Sequence, residues 1–344
     1  MIALGLLSDD TETPTAVKMV MEQGVKVVGL RFISPFARCG TEGCGYASEL
    51  ADRLGIRLIA VPICHDYLDV VREPKFGRGS GMNPCIDCRI YTLRKAKAIA
   101  DEMGAKFIFT GESIGQGPAD RHRKAFELIE REAGLEGKVL RPLSARLLPE
   151  TEAERMGWVD RGALTSISIR SRRQQMPPVK IDDGIDYPCR AGGCLLTDLN
   201  FAARLDDFLV NGAGSLALKD VNLLKLGRHF RVDGYKVVIG RDRAENAKLI
   251  TLASDDFIIL SPASVPGPVG ILENNGTGSL DTVASMVARY CDSGGKKVQL
   301  KVSSAFGGGT LEAEPMPLTE LKRYRIGGRG CGTSRHLESQ AHMI

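Results

Sequence analysis

The sequence contains no apolar run approaching the roughly 20 residues that a membrane span requires. It also has no basic stretch at its start, so residues 1–7 are expected to be a first buried strand and not a signal peptide. A strong charge of either sign is missing. The 46 Lys and Arg against 42 Asp and Glu leave a net charge of only +4, so nucleic-acid binding can rest only on local patches. Aromatic residues make up 6% of the chain and form no visible row for base stacking, which points any RNA contact towards backbone or shape recognition. The cysteines number nine, an odd count without an export signal, and read as thiols or ligands more readily than as a disulfide framework. Internal repeats and low-complexity segments are absent. What remains is a soluble, globular, cytoplasmic chain, 43% hydrophobic and 26% charged, whose 344 residues imply two domains and no membrane partner.

Along residues 1–210, strand and helix alternate. Strands are expected at 3–7, 25–32, 57–61 and 106–110, and helices at 14–23, 46–54, 86–103 and 121–133. Thr13 is the candidate N-cap of the first helix, with Pro14 in its first turn and Gly24 as its stop. This rhythm predicts an α/β fold with a doubly wound parallel sheet, and ligands then sit at the carboxyl ends of its strands. The loops expected at those ends are 8–13, 34–44, 64–85 and 111–120. From about residue 210 the texture changes. Two strands flank Asp233-Gly234, and further strands and helices follow, which predicts a second, smaller α+β domain over 211–328. Residues 329–344 read as a flexible tail.

Two cysteine blocks stand out, Asn83-Pro84-Cys85-Ile86-Asp87-Cys88 and Gly192-Gly193-Cys194. A C-x-x-C and one distant cysteine can supply three thiolates to one centre and leave a fourth coordination position open. Cys85 and Cys88 open a helix, where the dipole favours thiolate, and two glycines before Cys194 permit close backbone approach. The alternatives are a redox or persulfide pair, or inert buried thiols. Zinc is the alternative to iron–sulfur. Cys39, Cys44 and Cys64 belong to strand-end loops near the same edge and read first as loop thiols, while Cys189 is a spare ligand or persulfide carrier.

These blocks, together with the opening strand, Phe109-Thr110-Gly111-Glu112, Arg141-Pro142-Leu143-Ser144, Arg170-Ser171-Arg172 and Tyr187-Pro188-Cys189, resemble the PP-loop ATP-pyrophosphatase family of tRNA thiolation enzymes, the 4-thiouridine and 2-thiouridine synthetases. The resemblance covers roughly residues 1–210 and implies an adenine nucleotide alpha hydrolase-like fold. A second, weaker resemblance, carried by Val238-Ile239-Gly240-Arg241 and Asn246, is to an RNA-binding domain of some bacterial members. The family adenylates a uridine oxygen of tRNA with ATP and displaces AMP with a sulfur nucleophile. What the resemblance implies is a tRNA sulfurtransferase (thiouridine synthase) in which Cys85, Cys88 and Cys194 hold a 4Fe–4S cluster. Cys85 and Cys194 are then its catalytic cysteines. In other branches the same cysteines act as a persulfide pair. The expected partners are tRNA and a sulfur donor, either sulfide or a persulfide protein, and a homodimer stays open.

The family's phosphate loop is Ser-Gly-Gly-x-Asp-Ser, whereas this chain has Ser8-Asp9-Asp10-Thr11-Glu12-Thr13. Asp9 and Asp10 replace the glycines that let backbone N–H groups close around a phosphate. One carboxylate about 5 Å from a phosphate charge costs on the order of 3 kcal/mol at an effective dielectric near 20. The cofactor-binding candidates Ser8, Asp9, Asp10, Glu12, Thr13, Gly111 and Glu112 therefore describe a cradle poorly suited to ATP and Mg. Non-adenylating sulfide binding, sulfur delivery or desulfuration is one alternative function, and a non-catalytic RNA-binding protein is the other. Arg121 and Arg123, with Arg170, Arg172 and Arg173, are candidates for RNA phosphate contact against a default of solvated faces. In the second domain, Lys225, Arg228, His229, Arg241 and Lys248 are candidates for a shallow RNA face.

Overall fold

The structure, a computed structural model, describes residues 1–8, 12–38, 45–115, 122–168, 193–212, 214–253, 255–273, 277–305 and 307–327. The chain divides into two compact units, Met1–Thr197 and Asp198–Ile344. Among the described residues no helix is long and apolar enough to cross a membrane.

The first unit runs β1 (Ile2–Leu6), α1 (Thr13–Met21), β2 (Lys26–Ile33), α2 (Tyr46–Leu54), β3 (Arg57–Pro62), α3 (His65–Arg72), α4 (Cys85–Met103), β4 (Phe107–Thr110), α5 (Arg123–Ala133) and β5 (Val139–Leu140). The strands form one parallel sheet in the order β3-β2-β1-β4-β5, with Gly5 of β1 opposite Gly29 of β2 and Phe109 of β4. Side-chain alternation along β1 shows why both faces are covered. Ala3 packs with Ala16, Val17 and Val20 of α1 and Ala47 of α2. Leu4 faces the other way, against Ile90, Leu93 and Ala96 of α4 and Ile129 of α5. The winding reverses between β1 and β4, so the loops leaving these two strands flank the crevice where a doubly wound sheet binds ligands.

Two local expectations are corrected. The segment read as a loop over 64–85 contains α3, whose Tyr67, Leu68 and Val71 are buried. Its spacing at i, i+1 and i+4 is helical, but about two turns with two adjacent valines carry too weak a periodic signal. Thr13 is the first residue of α1 and not its cap; Glu12 occupies the cap position and makes no side-chain capping bond. The Thr13 hydroxyl is engaged elsewhere, 3.0 Å from Ser8 Oγ.

The second unit opens with a helix, Leu199–Asn211, capped by Asp198, whose carboxylate accepts from the N–H groups of Asn200 and Phe201. The sequence reading placed the change of texture at 210, and this helix groups with the second unit. Six antiparallel strands follow: β6 (Arg228–Val232), β7 (Tyr235–Ile239), β8 (Phe257–Pro262), β9 (Gly270–Glu273), β10 (Val298–Ser304) and β11 (Gly307–Ala313). Their order is β11-β10-β8-β9-β7-β6. Asp233 at φ 46° and Gly234 at φ 87° make the left-handed turn that joins β6 and β7. Val283 and Val287 of helix Leu280–Arg289 pack with Phe230 and Leu260 on one side of the sheet. Leu249 of helix Arg243–Leu252 packs with Val238 and Ile271 on the other.

Candidate functional site

Cys85 and Cys88 occupy the first turn of α4, preceded by Pro84 at the cap position. The loop before them is held by Asn83, which is buried. The Asn83 carbonyl accepts from Gly79 N–H at 2.9 Å. Its side-chain Oδ1 accepts from Gly81 N–H at 3.1 Å, which leaves Nδ2 to donate to Cys85 Sγ at 3.0 Å. Asp87, inside the C-x-x-C, accepts from the N–H groups of Lys75 at 2.9 Å and Phe76 at 3.1 Å and ties the approach segment to the helix.

The second cysteine block reaches the same place through main-chain pairing. Cys194 forms an antiparallel bridge with Ala37, just beyond β2. Arg38 N–H donates to Gly193 O at 2.8 Å, and Leu195 N–H donates to Phe36 O at 2.8 Å. On its other side Met82 N–H donates to Leu196 O at 2.9 Å, so the Cys194 segment is stitched both to the end of β2 and to the loop carrying Asn83. A Cβ at Gly81 would lie 2.5 Å from Leu196 O, which is why that position carries no side chain.

At the centre of this arrangement is Tyr67 of α3, 2% exposed. Its ring packs edge-on against Phe36 with centroids 6.1 Å apart and tilts against Tyr91 at 5.4 Å. Its hydroxyl donates to Cys88 Sγ at 3.1 Å. Burial pushes the Tyr67 hydroxyl well above its ordinary value, and Cys88, Cys194 and Cys85 all push it further the same way. Cys88 is thus in direct contact with the phenol, and Cys194 and Cys85 act on it electrostatically. Burial also pushes the Cys194 thiol up to about 11, with Cys88 adding to the rise and the backbone N–H groups of Leu196 and Thr197 opposing it. Cys64, at the cap of α3, acts with Cys88 on Tyr91, whose hydroxyl is raised chiefly by burial. Cys64, Cys85, Cys88 and Cys194 are all thiols and all partly exposed.

Cys85, Cys88 and Cys194 are soft sulfur donors of the kind that zinc and iron–sulfur centres take, and two of them, Cys85 and Cys88, accept a side-chain hydrogen bond. A single zinc ion asks for sulfurs ~3.8 Å apart, from Zn–S bonds near 2.3 Å. Among the described residues no group of three or more His, Cys, Asp or Glu is set to hold one metal ion.

The cradle candidates lie at the β1/β4 crevice. A Cβ on Gly111 would lie 2.7 Å from Thr13 Cα and 2.9 Å from Thr13 N, so the end of β4 presses directly on the start of α1. Glu12 and Thr13 are buried, at 0% and 1% exposure. The Glu112 carboxylate is turned inward: it pairs with Arg89 of α4 at 3.1 Å and Arg141 at 3.4 Å, and it accepts from Thr110 Oγ1 at 3.0 Å. Glu112 thus braces the helix that carries Cys85 and Cys88. Arg123 is exposed and pairs with Glu127 at 3.1 Å. Asp9, Asp10, Cys39, Cys44, Gln116, Arg121, Arg170, Arg172, Arg173, Cys189, Cys331 and the tail lie outside the described residues.

In the second unit the expected RNA face changes. His229 is 1% exposed and its Nε2 lies 2.7 Å from Leu226 O. Arg241 is bound to Glu245, and Arg228 donates to Gly240 O at 2.8 Å while its guanidinium lies 4.4 Å from the Tyr290 ring centre. Alternation along a strand cannot tell which face is covered, and β6 is packed on both sides. Lys248 and Arg243 on one helix, Lys297 just before β10 and Lys301 on it, and Lys322 and Arg323 on helix Leu318–Tyr324 are exposed. The motif residue Asn246 is structural: its Oδ1 accepts from Val269 N–H at 3.1 Å. Sequence reasoning gave no role to Asn83 and missed Tyr67 altogether. Asn83 is flagged only by its place two residues before Cys85, and Tyr67 by nothing local.

Residues 2–146 match the thiamine biosynthesis protein (ThiI) family. Residues 227–325 match the NFACT protein RNA binding domain. The two matches bear out the two resemblances drawn from the motifs, in the same order along the chain. Cys85 and Cys88 fall inside the first match, and Cys194 lies beyond it. No curated protein matches the chain. Among solved structures, the C-terminal part of the fibronectin/fibrinogen-binding protein from Streptococcus suis is 14% identical, with 37% of this chain and 67% of that one covered and a TM-score of 0.27. A 4-thiouridine synthetase in complex with RNA and bound ATP is 27% identical, with 42% of this chain and 37% of that one covered and a TM-score of 0.34. A predicted subunit of tRNA methyltransferase from Methanocaldococcus jannaschii is 12% identical, with 42% and 68% covered and a TM-score of 0.30. This chain thus spans 37% of the 4-thiouridine synthetase that it matches.

Proposed function

Taking residues 2–146 as ThiI-like and residues 227–325 as an NFACT-type RNA-binding region, we propose that this protein is a tRNA sulfurtransferase of the thiouridine-forming type, working through a three-cysteine site. The supporting observation is main-chain pairing that brings the Cys194 segment against the loop leading into Cys85 and Cys88: Cys194 bridges Ala37, and Met82 N–H donates to Leu196 O at 2.9 Å. A 4Fe–4S cluster held by these three residues would supply an iron with an open position for a sulfur ligand. The chain's own contribution is placement. Main-chain pairing with Ala37 and Met82 holds the Cys194 segment at the strand ends, and the first turn of α4 holds Cys85 and Cys88 in a field that favours thiolate. Exposed cations such as Lys248, Lys301 and Lys322 are available for RNA phosphates, a sequence-independent and salt-sensitive mode.

A second reading, in which sulfur is handled without adenylation, is favoured by the acidic loop. Asp9 and Asp10 stand where phosphate-binding glycines would be, and the adjacent Glu12 is fully buried at the start of α1. The decisive experiment is mass spectrometry of tRNA nucleosides from a deletion strain. Loss of a thiolated uridine, restored by wild type but not by Cys194→Ala, is expected; an unchanged nucleoside profile overturns the tRNA reading. Calorimetry separates the two versions. ATP is expected to bind weakly or not at all, and micromolar affinity would exclude the non-adenylating one. If the charge argument holds, restoring glycine at 9 and 10 raises the affinity.

A further inference from the structure

Two of the three sulfurs are not bare: Cys85 and Cys88 each face a neutral hydrogen-bond donor from a different part of the fold. Cys85 Sγ accepts from Asn83 Nδ2 at 3.0 Å, and Cys88 Sγ accepts from Tyr67 Oη at 3.1 Å. At Cys194 the carbonyl accepts from Thr197 N–H at 3.2 Å. Both side-chain donors are buried, at 2% exposure each, and both are locked from behind. The Asn83 amide cannot turn over, because its Oδ1 already accepts from Gly81 N–H at 3.1 Å and an inverted amide would bring two donors together there. The Tyr67 ring is wedged between Phe36 and Tyr91. Neither donor carries a charge, and α4 and α3 would form without them. Their common property is that each directs one proton at one sulfur.

A thiolate that accepts a hydrogen bond gives less electron density to a metal, and such bonds are one of the levers that set the potential of an iron–sulfur centre. We propose that Asn83 and Tyr67 are positioning residues that fix the Cys85 and Cys88 sulfurs and withdraw density from them, raising the reduction potential of the group those cysteines hold. This rests on the three-cysteine reading of the preceding section. It adds that the two donors are side chains and can be removed one at a time.

The test uses the full-length protein, reconstituted anaerobically with iron and sulfide. Tyr67→Phe keeps the ring between Phe36 and Tyr91 and deletes only the hydroxyl. Asn83→Asp keeps the Oδ1 acceptor for Gly81, removes the donor and adds a negative charge, so Tyr67→Phe, which changes no charge, is the discriminating variant. The readouts are the midpoint potential from a spectroscopic redox titration and, in parallel, the sulfur-to-metal charge-transfer band of the cobalt(II)-loaded protein. Both variants are expected to load as wild type does and to titrate at a more negative potential. Their charge-transfer bands are expected at lower energy, and the double variant is expected to shift by about the sum of the two. If Asn83→Asp fails to fold, Tyr67→Phe carries the test alone. Wild type and variants loading equally, with coincident potentials and bands, overturns the proposal and leaves the three-cysteine reading intact. Wild type that takes up neither iron–sulfur nor cobalt overturns both.

Discussion

Each unit contains a charged side chain gripped by two partners of opposite sign, and these two hubs have opposite signs. In the first unit the hub is a cation. Arg141, 3% exposed, is paired with Glu130 and Glu112 and lies 3.9 Å from the ring centre of Phe126. In the second it is an anion. Asp207 of helix Leu199–Asn211 receives Arg231 at 2.7 Å and Lys236 at 2.6 Å. Arg231 and Lys236 are cross-strand neighbours on β6 and β7 and would repel each other without that carboxylate. The difference lies in what each hub supports. Through Glu112 and Arg89 the cation hub reaches the helix of Cys85 and Cys88, so stability and site geometry share residues. The anion hub fastens a helix to a sheet and uses up two basic side chains. In an RNA-binding region, counting Lys and Arg in the sequence therefore overstates the face left for phosphate.

Deleting each hub should separate these roles and should give the largest effects. Arg141→Ala and Asp207→Ala each strand buried charges, and each is expected to cost about 3–5 kcal/mol in urea unfolding read by hydrogen exchange within the affected unit. Only Arg141→Ala should also reduce iron–sulfur loading. Equal loading in both variants would break the contrast between a supporting and an anchoring hub.

Acid sharpens the comparison next. Burial works to raise the Asp207 carboxyl, but hydrogen bonding and charge from Arg231 and Lys236 outweigh it and hold the group below its ordinary value. A carboxyl depressed in the folded state contributes stability that is present above about pH 4 and is lost as pH falls through the folded value. Unfolding of the second unit should show that acid-side loss. It should be absent in Asp207→Asn, which is expected to start from a lower plateau.

Smaller effects are expected away from the hubs. Gly111→Ala pushes a methyl group into the backbone of Thr13 and should cost about 1–3 kcal/mol, seen as a lowered urea midpoint with exchange increased at the start of α1. Glu49→Ala removes the exposed Arg53–Glu49 pair at 2.7 Å on α2. It is expected to change the same midpoint by no more than about 0.3–0.5 kcal/mol. A change of several kcal/mol there would mean that surface pairs, and not hubs, dominate this unit.

Much of the fold was legible because its signals are local. Gly55, Gly104 and Gly134 close α2, α4 and α5 in the left-handed conformation that glycine adopts cheaply. The Asp233-Gly234 turn announces the β6–β7 hairpin in the same way. Of the helices missed, α3 is only eight residues long and ends on Glu73 with no glycine stop, and Leu199–Asn211 ends on Gly212 in an extended and not a left-handed conformation. In the site, the two cysteine blocks were legible as motifs. Glu112 was read as a ligand contact because it ends a strand, whereas its carboxylate is turned towards two arginines. His229 looked like part of a basic row, and burial of β6 on both sides makes it a core residue.

By itself the sequence determined the strand–helix alternation, the acidic substitution in the phosphate loop and the two cysteine blocks, because each is written in neighbouring residues. Only the tertiary structure decided that Tyr67 meets the Cys88 sulfur, that Asn83 aims its amide at that of Cys85, and that most of the basic row in the second unit is spent on internal pairing. These depend on which distant surfaces meet, and contact between residues far apart in the chain is set by packing and main-chain pairing, which no local pattern encodes.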